Sequence, residues 1–129
     1  MRREARWIRD ALEAAADISG RTEEMDMASF AGNRHIQNEV KYCFIVMAEA
    51  LARLRNHAPD LARRIPLLDE IRGFRNVLAH QYDRADPEVI WESIQHDLPE
   101  LRQQLESLLP QVEKPAPDDR ARTSVSEIP

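Results

Sequence analysis

Between Arg75 and Asp83 the chain sets a guanidinium, a carboxamide, an imidazole, a phenol and a carboxylate within nine residues, carried by Arg75, Asn76, His80, Tyr82 and Asp83. An imidazole titrating near neutral pH can take the proton of a ribose 2′-hydroxyl or protonate a leaving oxygen, worth about 10²–10⁴-fold in rate. A guanidinium can neutralise the charge that develops on phosphoryl oxygens. Those two groups are what metal-free cleavage of an RNA phosphodiester needs. The same residues also fit a solvated helix end, with His80 near the C-terminus where the helix dipole favours a cation. On a helix, Asn76 and His80 are i,i+4 neighbours, so the amide can orient the imidazole. Arg75 and Tyr82 are seven residues apart and share a face. Arg75 and His80 are five apart, about 140° around the helix. They converge only if the helix ends near His80, or if two chains share the site, and that mismatch favours a homodimer with two Arg and two His across its axis.

Other candidates are few. Glu49 stands on an otherwise apolar helix and either pairs with an Arg across the bundle or shapes a polar cleft. Arg72, one turn before Arg75, is a second cation for the same cleft. The remaining histidines, His35, His57 and His96, lack the spacing of a metal site, so no metal or other cofactor is expected. No glycine-rich phosphate loop and no Gly-x-Ser-x-Gly elbow is present.

Helical periodicity runs through the elements that must position these residues. Trp7, Ile8, Ala11, Leu12, Ala15 and Ile18 predict a helix over Arg2 to Ser19, with Gly20 as its stop. Thr22 followed by Glu23 and Glu24 reads as the cap of a short helix to about Ala31. Asn33 caps the next long helix, about Arg34 to His57, which is apolar all round between Tyr42 and Ala48 and so is expected to be buried in the core or in a subunit interface. Pro59 and Pro66 bracket a short turn, and Pro66 starts a third helix carrying Leu67, Leu68, Ile71, Phe74 and Leu78. Asp86-Pro87-Glu88 opens the last helix, whose stripe is Trp91, Ile94, Leu98, Leu101, Leu105 and Leu108. Pro99 removes a backbone donor there and predicts a kink, with Asp97-x-x-Glu100 able to re-cap the second half. The fold expected is an all-α, up-and-down bundle of four main helices plus a short one, spanning residues 1–110. Residues 111–129, rich in proline and poor in apolar side chains, read as a disordered tail.

At 129 residues the chain is one domain, and 43% hydrophobic content supplies a core. The single Cys43 excludes a disulfide framework and fits a reducing compartment. The longest nearly apolar run, Tyr42 to Ala48, is far short of the roughly 20 residues a membrane span needs. Alternating Arg and acidic residues at the start do not resemble a signal peptide, so a soluble cytoplasmic protein is expected. The net charge of −5 argues against non-specific coating of nucleic acid. Of 18 basic residues, 16 are Arg and only Lys41 and Lys114 are Lys. Residues 1–110 hold 15 basic and 19 acidic side chains, so any RNA site must be local, with a two-fold axis doubling Arg72 and Arg75.

The stretch Arg75-Asn76-Val77-Leu78-Ala79-His80-Gln81-Tyr82 resembles the Arg-x-x-x-x-His-x-Tyr signature of HepT-type toxins in the HEPN superfamily. From this composition the pattern would arise by chance about 0.01 times, against about 0.5 for Arg-x-x-x-x-His alone. Asp10, Phe30, Ala48-Glu49-Ala50, Val89-Ile90-Trp91 and Asp97-Leu98-Pro99-Glu100-Leu101 also fall where that family has similar residues, so the likeness spans roughly residues 5–109. Ala48 stands where the family often has Gly, and Leu67 where it often has Trp. The resemblance implies a helical homodimer acting as a metal-independent endoribonuclease toxin, with Arg75 and His80 catalytic and Asn76 supporting His80. It also implies a partner, an MNT-type nucleotidyltransferase antitoxin that transfers AMP from ATP onto Tyr82 in a type VII-like pair. The alternative is a non-catalytic HEPN module that scaffolds or presents substrate to a nucleotidyltransferase.

Overall fold

The computed structural model describes residues 3–113 as an all-α bundle, without strands among the described residues. Helix α1 (Arg3–Thr22) is followed by the short α2 (Met27–Ala31), the long α3 (Arg34–His57), the single turn α4 (Pro59–Ala62) and α5 (Leu68–His80). The last long element is α6 (Pro87–Glu92), a π-helical turn (Ser93–Asp97) and α7 (Leu98–Glu113).

The four long elements run up and down, as their side-chain links record. Trp7 meets His57 while Arg21 pairs with Glu39, so α1 and α3 are antiparallel. Arg102 reaches Ser19 while Arg9 pairs with Glu113, so α7 returns antiparallel to α1. Arg75 pairs with Glu49 and Tyr82 reaches back to Asn38, so α5 descends along α3. Ile8, Ile18, Phe44, Met47, Leu51, Leu54, Leu98 and Leu101 fill the space between, each fully buried. No helix of the described residues is long and apolar enough to cross a membrane.

Local chemistry explains the boundaries. The Asn33 side chain accepts the Ile36 N–H at 3.0 Å, and α3 runs over Arg34–His57 as its periodicity predicts. Asp86 caps α6 by accepting the Glu88 N–H at 2.9 Å. Helix α1, in contrast, continues through Gly20 to Thr22. Thr22 is its buried last residue rather than a cap, its hydroxyl donating to the Ile18 carbonyl at 2.8 Å, and Arg21 donates to the Asp17 carbonyl. The end is closed instead by the Met25 N–H on the Thr22 carbonyl at 3.0 Å, and no glycine among the described residues takes a left-handed stop. The short helix accordingly starts five residues later, where Asp26 and Ser29 form a reciprocal capping box. The turn between Pro59 and Pro66 closes into α4, and α5 begins at Leu68, two residues beyond Pro66.

The last element bends where Pro99 requires it. The Leu98 N–H bonds to the Ser93 carbonyl five residues back, the π register, and the residue after Leu98 has no N–H to give. The extra residue in the turn relieves the clash that a proline ring makes with the carbonyl four positions earlier. Asp97 does not re-cap the second half: its carboxylate accepts from the Ser93 hydroxyl at 3.3 Å, and the helix passes through it. It also passes Pro110 and ends at Glu113 with Val112 buried. The rest of the expected tail lies outside the described residues. On α3 the Tyr42–Ala48 segment is not buried all round, since Tyr42 is 65% exposed and Ile45 and Val46 are half-buried.

Candidate functional site

The seam between α3 and α5 carries Glu49, Arg72, Arg75, Asn76, Tyr82 and Asp83 of the predicted cluster. Ala48 and Ala52 present short side chains to α5, which leaves a groove of about 150 Å³ walled by Glu49, Arg72, Arg75 and Asn76. One guanidinium nitrogen of Arg75 lies 3.8 Å from Glu49 Oε1, and the other lies 3.4 Å from Asn76 Oδ1. Glu49 is therefore both the cross-bundle partner and a wall of the cleft. Arg72 stands beside it, 3.8 Å from Asp69, which also faces Arg55 at 3.8 Å. These contacts are long and partly exposed, so each is worth at most about 1 kcal/mol and yields readily to an incoming phosphate.

Helix α5 ends at His80, where the Gln81 N–H closes the last turn on the Val77 carbonyl at 2.9 Å. His80 is itself the last helical residue, so within one chain it stays five residues, about 140° around the helix, from Arg75. His80 is exposed, and with Asn76, Val77 and Gly73 it forms an open strip along α5. Val77 is 47% exposed, and nothing lies within 4 Å of where a Gly73 side chain would begin. The Asn76 amide engages Arg75; among the described residues it makes no hydrogen bond to His80.

Tyr82 does not share a face with Arg75, because the helix has stopped two residues earlier. The chain turns back instead, and the Tyr82 hydroxyl donates to the Asn38 carbonyl of α3 at 3.1 Å. Asn38 and Glu49 are eleven residues apart on α3, about 16 Å of helix. Arg75 and Tyr82 therefore mark two ends of one seam. Lys41 fixes the Tyr82 end: its ammonium donates to the Tyr82 carbonyl and sits 5.0 Å from the centre of the Tyr82 ring. Burial, and then the neighbouring Arg34, hold this ammonium below the ordinary lysine range, while Asp83 opposes them.

Lys41, only 4% exposed, and the Asn38 carbonyl went unnoticed in the sequence. Lys41 nevertheless lies in phase with the buried Phe44 and Ala48, and a lysine on a core stripe is a signal in itself. The other imidazoles lie off this seam: His57 stacks on Trp7 at 4.9 Å, and His35 and His96 pair with Glu39 and Glu92 one turn away. Among the described residues no group of three His, Cys, Asp or Glu side chains is placed to hold a metal ion. Cys43 is buried, and burial pushes its thiol up.

An antiparallel helical bundle with an Arg and a Tyr along its α3–α5 seam and an exposed His ending α5 has the architecture of a HEPN-type domain. The profile of the family described as "Ribonuclease HepT-like" matches residues 11–108, and the chain belongs to that family. Similar proteins include two of Methanocaldococcus jannaschii. "Putative RNase MJ1216" is 29% identical over 107 residues, covering 83% of this chain and 88% of the relative. "Putative RNase MJ0125" is 29% identical over 108 residues, covering 84% and 92%. "Probable ribonuclease HepT" of Thermococcus cleftensis is 28% identical over 102 residues, covering 79% and 92%. No solved structure matches the chain significantly. Outside the motif, Phe30 stacks on Trp91 at 5.3 Å, which gives two of the flanking matches a packing role between α2 and α6.

Proposed function

We propose that this ribonuclease-family chain is a metal-independent endoribonuclease, the toxin of a toxin–antitoxin pair, and that it cuts RNA with Arg75 and His80. The RNA phosphate enters the Glu49–Arg75 groove, where it takes over the guanidinium from a partly exposed carboxylate. His80 removes the 2′-hydroxyl proton, the 2′-oxygen attacks the adjacent phosphorus, and the 5′-oxygen leaves with a proton from a second acid. The products are a 2′,3′-cyclic phosphate and a free 5′-hydroxyl. Arg75 carries the charge that accumulates on the non-bridging oxygens. Asn76 acts as a positioning residue that holds the guanidinium by its carbonyl oxygen, and Arg72 adds positive field. The second acid is supplied by the His80 of another copy in a homodimer. The open α5 strip of Gly73, Asn76, Val77 and His80 supports that reading, since a flat glycine and an exposed valine suit close helix approach.

The observation that carries the proposal is the family match over residues 11–108, a span that includes the Arg75 groove and the exposed His80 at the end of α5. Neutralisation follows from Tyr82. A nucleotidyltransferase antitoxin of MNT type uses ATP: the Tyr82 oxygen attacks the α-phosphorus, pyrophosphate leaves, and the phenolic proton is released. The AMP adds negative charge and bulk at the end of the seam that leads to Arg75. Purified protein should cleave RNA in EDTA, and His80→Ala should abolish cleavage while the thermal melt is retained. Cleavage that disappears with EDTA, or that survives in both Arg75→Ala and His80→Ala, refutes the chemistry. Mass spectrometry after incubation with the antitoxin and ATP should find AMP on the wild type and none on Tyr82→Phe.

A further inference from the structure

A second recess lies beyond Tyr82, away from the Arg75 groove. It encloses about 590 Å³ between the start of α3 and the turn that joins α5 to α6, and Arg34, Lys41 and Arg84 project cations around it. Asp83 and Asp86 also line it, but Asp86 is committed to the Glu88 N–H as the cap of α6. Among the described residues, none of the three cations has a carboxylate oxygen within 4.0 Å.

Two features make this arrangement costly without a ligand. Arg34 is the first residue of α3, where the helix dipole disfavours a cation and no acidic residue stands in the first turn. Lys41 is nine-tenths buried next to that same Arg34, and its ammonium spends one of three donors on the Tyr82 carbonyl. An anion in the recess relieves both, because it lies within reach of cations that otherwise repel one another. Burial keeps the Lys41 charge poorly screened, so its pull on a phosphate is stronger than that of a surface lysine. The recess and the Arg75 groove lie along the same helix: Lys41 and Glu49 are eight residues apart on α3, about 12 Å.

We propose that this recess is a second phosphate subsite, in which Arg34, Lys41 and Arg84 hold a backbone phosphodiester of the RNA strand that is cut at Arg75 and His80. The assignment rests on the ribonuclease reading and adds to it a direction for the strand, along α3 from the Arg75 groove across Tyr82. It gives modification of Tyr82 a second consequence. The hydroxyl is bonded to Asn38, itself a lining residue, so an AMP attached there lies across the path between the two phosphate sites.

The test measures binding of a short single-stranded oligoribonucleotide methylated at every 2′-hydroxyl, which the enzyme can hold but not cut. Arg34 and Arg84 are exposed, so Arg34→Ala and Arg84→Ala should fold as the wild type does, checked by thermal melting. Their double variant should bind roughly tenfold more weakly or worse, since charge-assisted contacts are lost. Its plot of log affinity against log salt should be shallower by about 0.7 for each cation that touches a phosphate. Lys41→Met should weaken binding in the same way. A double variant with wild-type affinity and salt slope overturns the subsite and leaves the nuclease reading standing. Wild-type protein that does not bind the oligonucleotide overturns both. If the double variant binds RNA normally but takes up less AMP on Tyr82 from the antitoxin and ATP, the recess serves the nucleotidyl group and the RNA assignment is wrong.

Discussion

Replacing Tyr82 with Phe isolates one bond whose loss can be sized. The phenol oxygen sits 3.1 Å from the Asn38 carbonyl in a half-buried position. The ring beneath Lys41 and the backbone carbonyl that Lys41 holds are both retained by Phe. What is lost is one neutral hydrogen bond, worth about 0.5–1.5 kcal/mol net. Water can reach the Asn38 carbonyl, which places the cost in the lower half of that range, about 0.5–1 kcal/mol. At about 2.1 cal/mol/K of unfolding entropy per residue, a domain of this size loses roughly 4 °C per kcal/mol, so the melting temperature should fall by about 2–4 °C. Circular dichroism melts read this directly. A second assay uses the only other tyrosine, Tyr42, 65% exposed, as an internal standard. Acetylation of the wild type with N-acetylimidazole, followed by mass spectrometry, should label Tyr42 well ahead of Tyr82, and Lys41→Met should narrow the gap. An unchanged or raised melting temperature in Tyr82→Phe, together with equal labelling of the two tyrosines, would refute the claim that α3 holds the phenol.

Glu49→Gln removes a carboxylate 3.8 Å from a half-exposed guanidinium, so stability should change by less than about 1 kcal/mol. The same change should tighten binding of the methylated oligonucleotide by roughly two- to fivefold, as expected when about 0.4–1 kcal/mol of competition disappears; weaker binding would mean that Glu49 holds Arg75 in place instead of competing for it. Lys41 has its ionisation lowered in the folded protein, first by burial and then by Arg34. Between its folded and unfolded pKa values the unfolded chain binds more protons, so stability should rise with pH through that window. Urea melts of wild type and Lys41→Met across the alkaline range should show the difference moving in favour of the wild type, and a difference that falls with pH would contradict this. Leu51→Ala empties a fully buried position on α3 and should cost about 2–5 kcal/mol, measured by denaturant midpoint; a loss below about 1 kcal/mol would show that Leu51 is not part of a packed core.

What could be read in the sequence was what neighbouring residues determine. Asn33 and the Leu54–His57 turn before Pro59 bound α3 by local hydrogen bonds alone, so the 34–57 span is legible without tertiary knowledge. Gly20 misleads for the opposite reason: its local preference as a stop is overridden by Ile18 and Thr22 on either side of it, both buried in the bundle, which carry α1 through it. The motif is contiguous and therefore visible. Its geometry is not, because helical spacing places Tyr82 on the face of Arg75 only if the helix continues, and it stops at His80. The recess was hidden altogether, since Arg34 and Lys41 meet Asp83 and Arg84 across more than forty residues of sequence.

The acidic total of the chain, −5, fits a site for a polyanion once charge is counted by face. The α3–α5 seam carries Arg34, Lys41, Arg72, Arg75 and Arg84 against Glu49, Asp69, Asp83 and Asp86, of which Asp86 is spent on a helix cap. Far from the seam, α7 exposes Glu100 and Glu106, while α1 exposes Glu13 and Asp17 beside Arg3, Arg6 and Arg9. On the proposed ribonuclease reading, this strip of five cations would draw a strand to one face, which total charge does not report. The long, exposed ion pairs of that strip follow from the same requirement. Arg72 and Arg75 must stay charged and loosely held, because a carboxylate that bound them tightly would have to be displaced by every phosphate that enters. An adenylyl group on Tyr82 would add negative charge between the two cationic clusters and so act against the one feature that lets an acidic protein hold RNA.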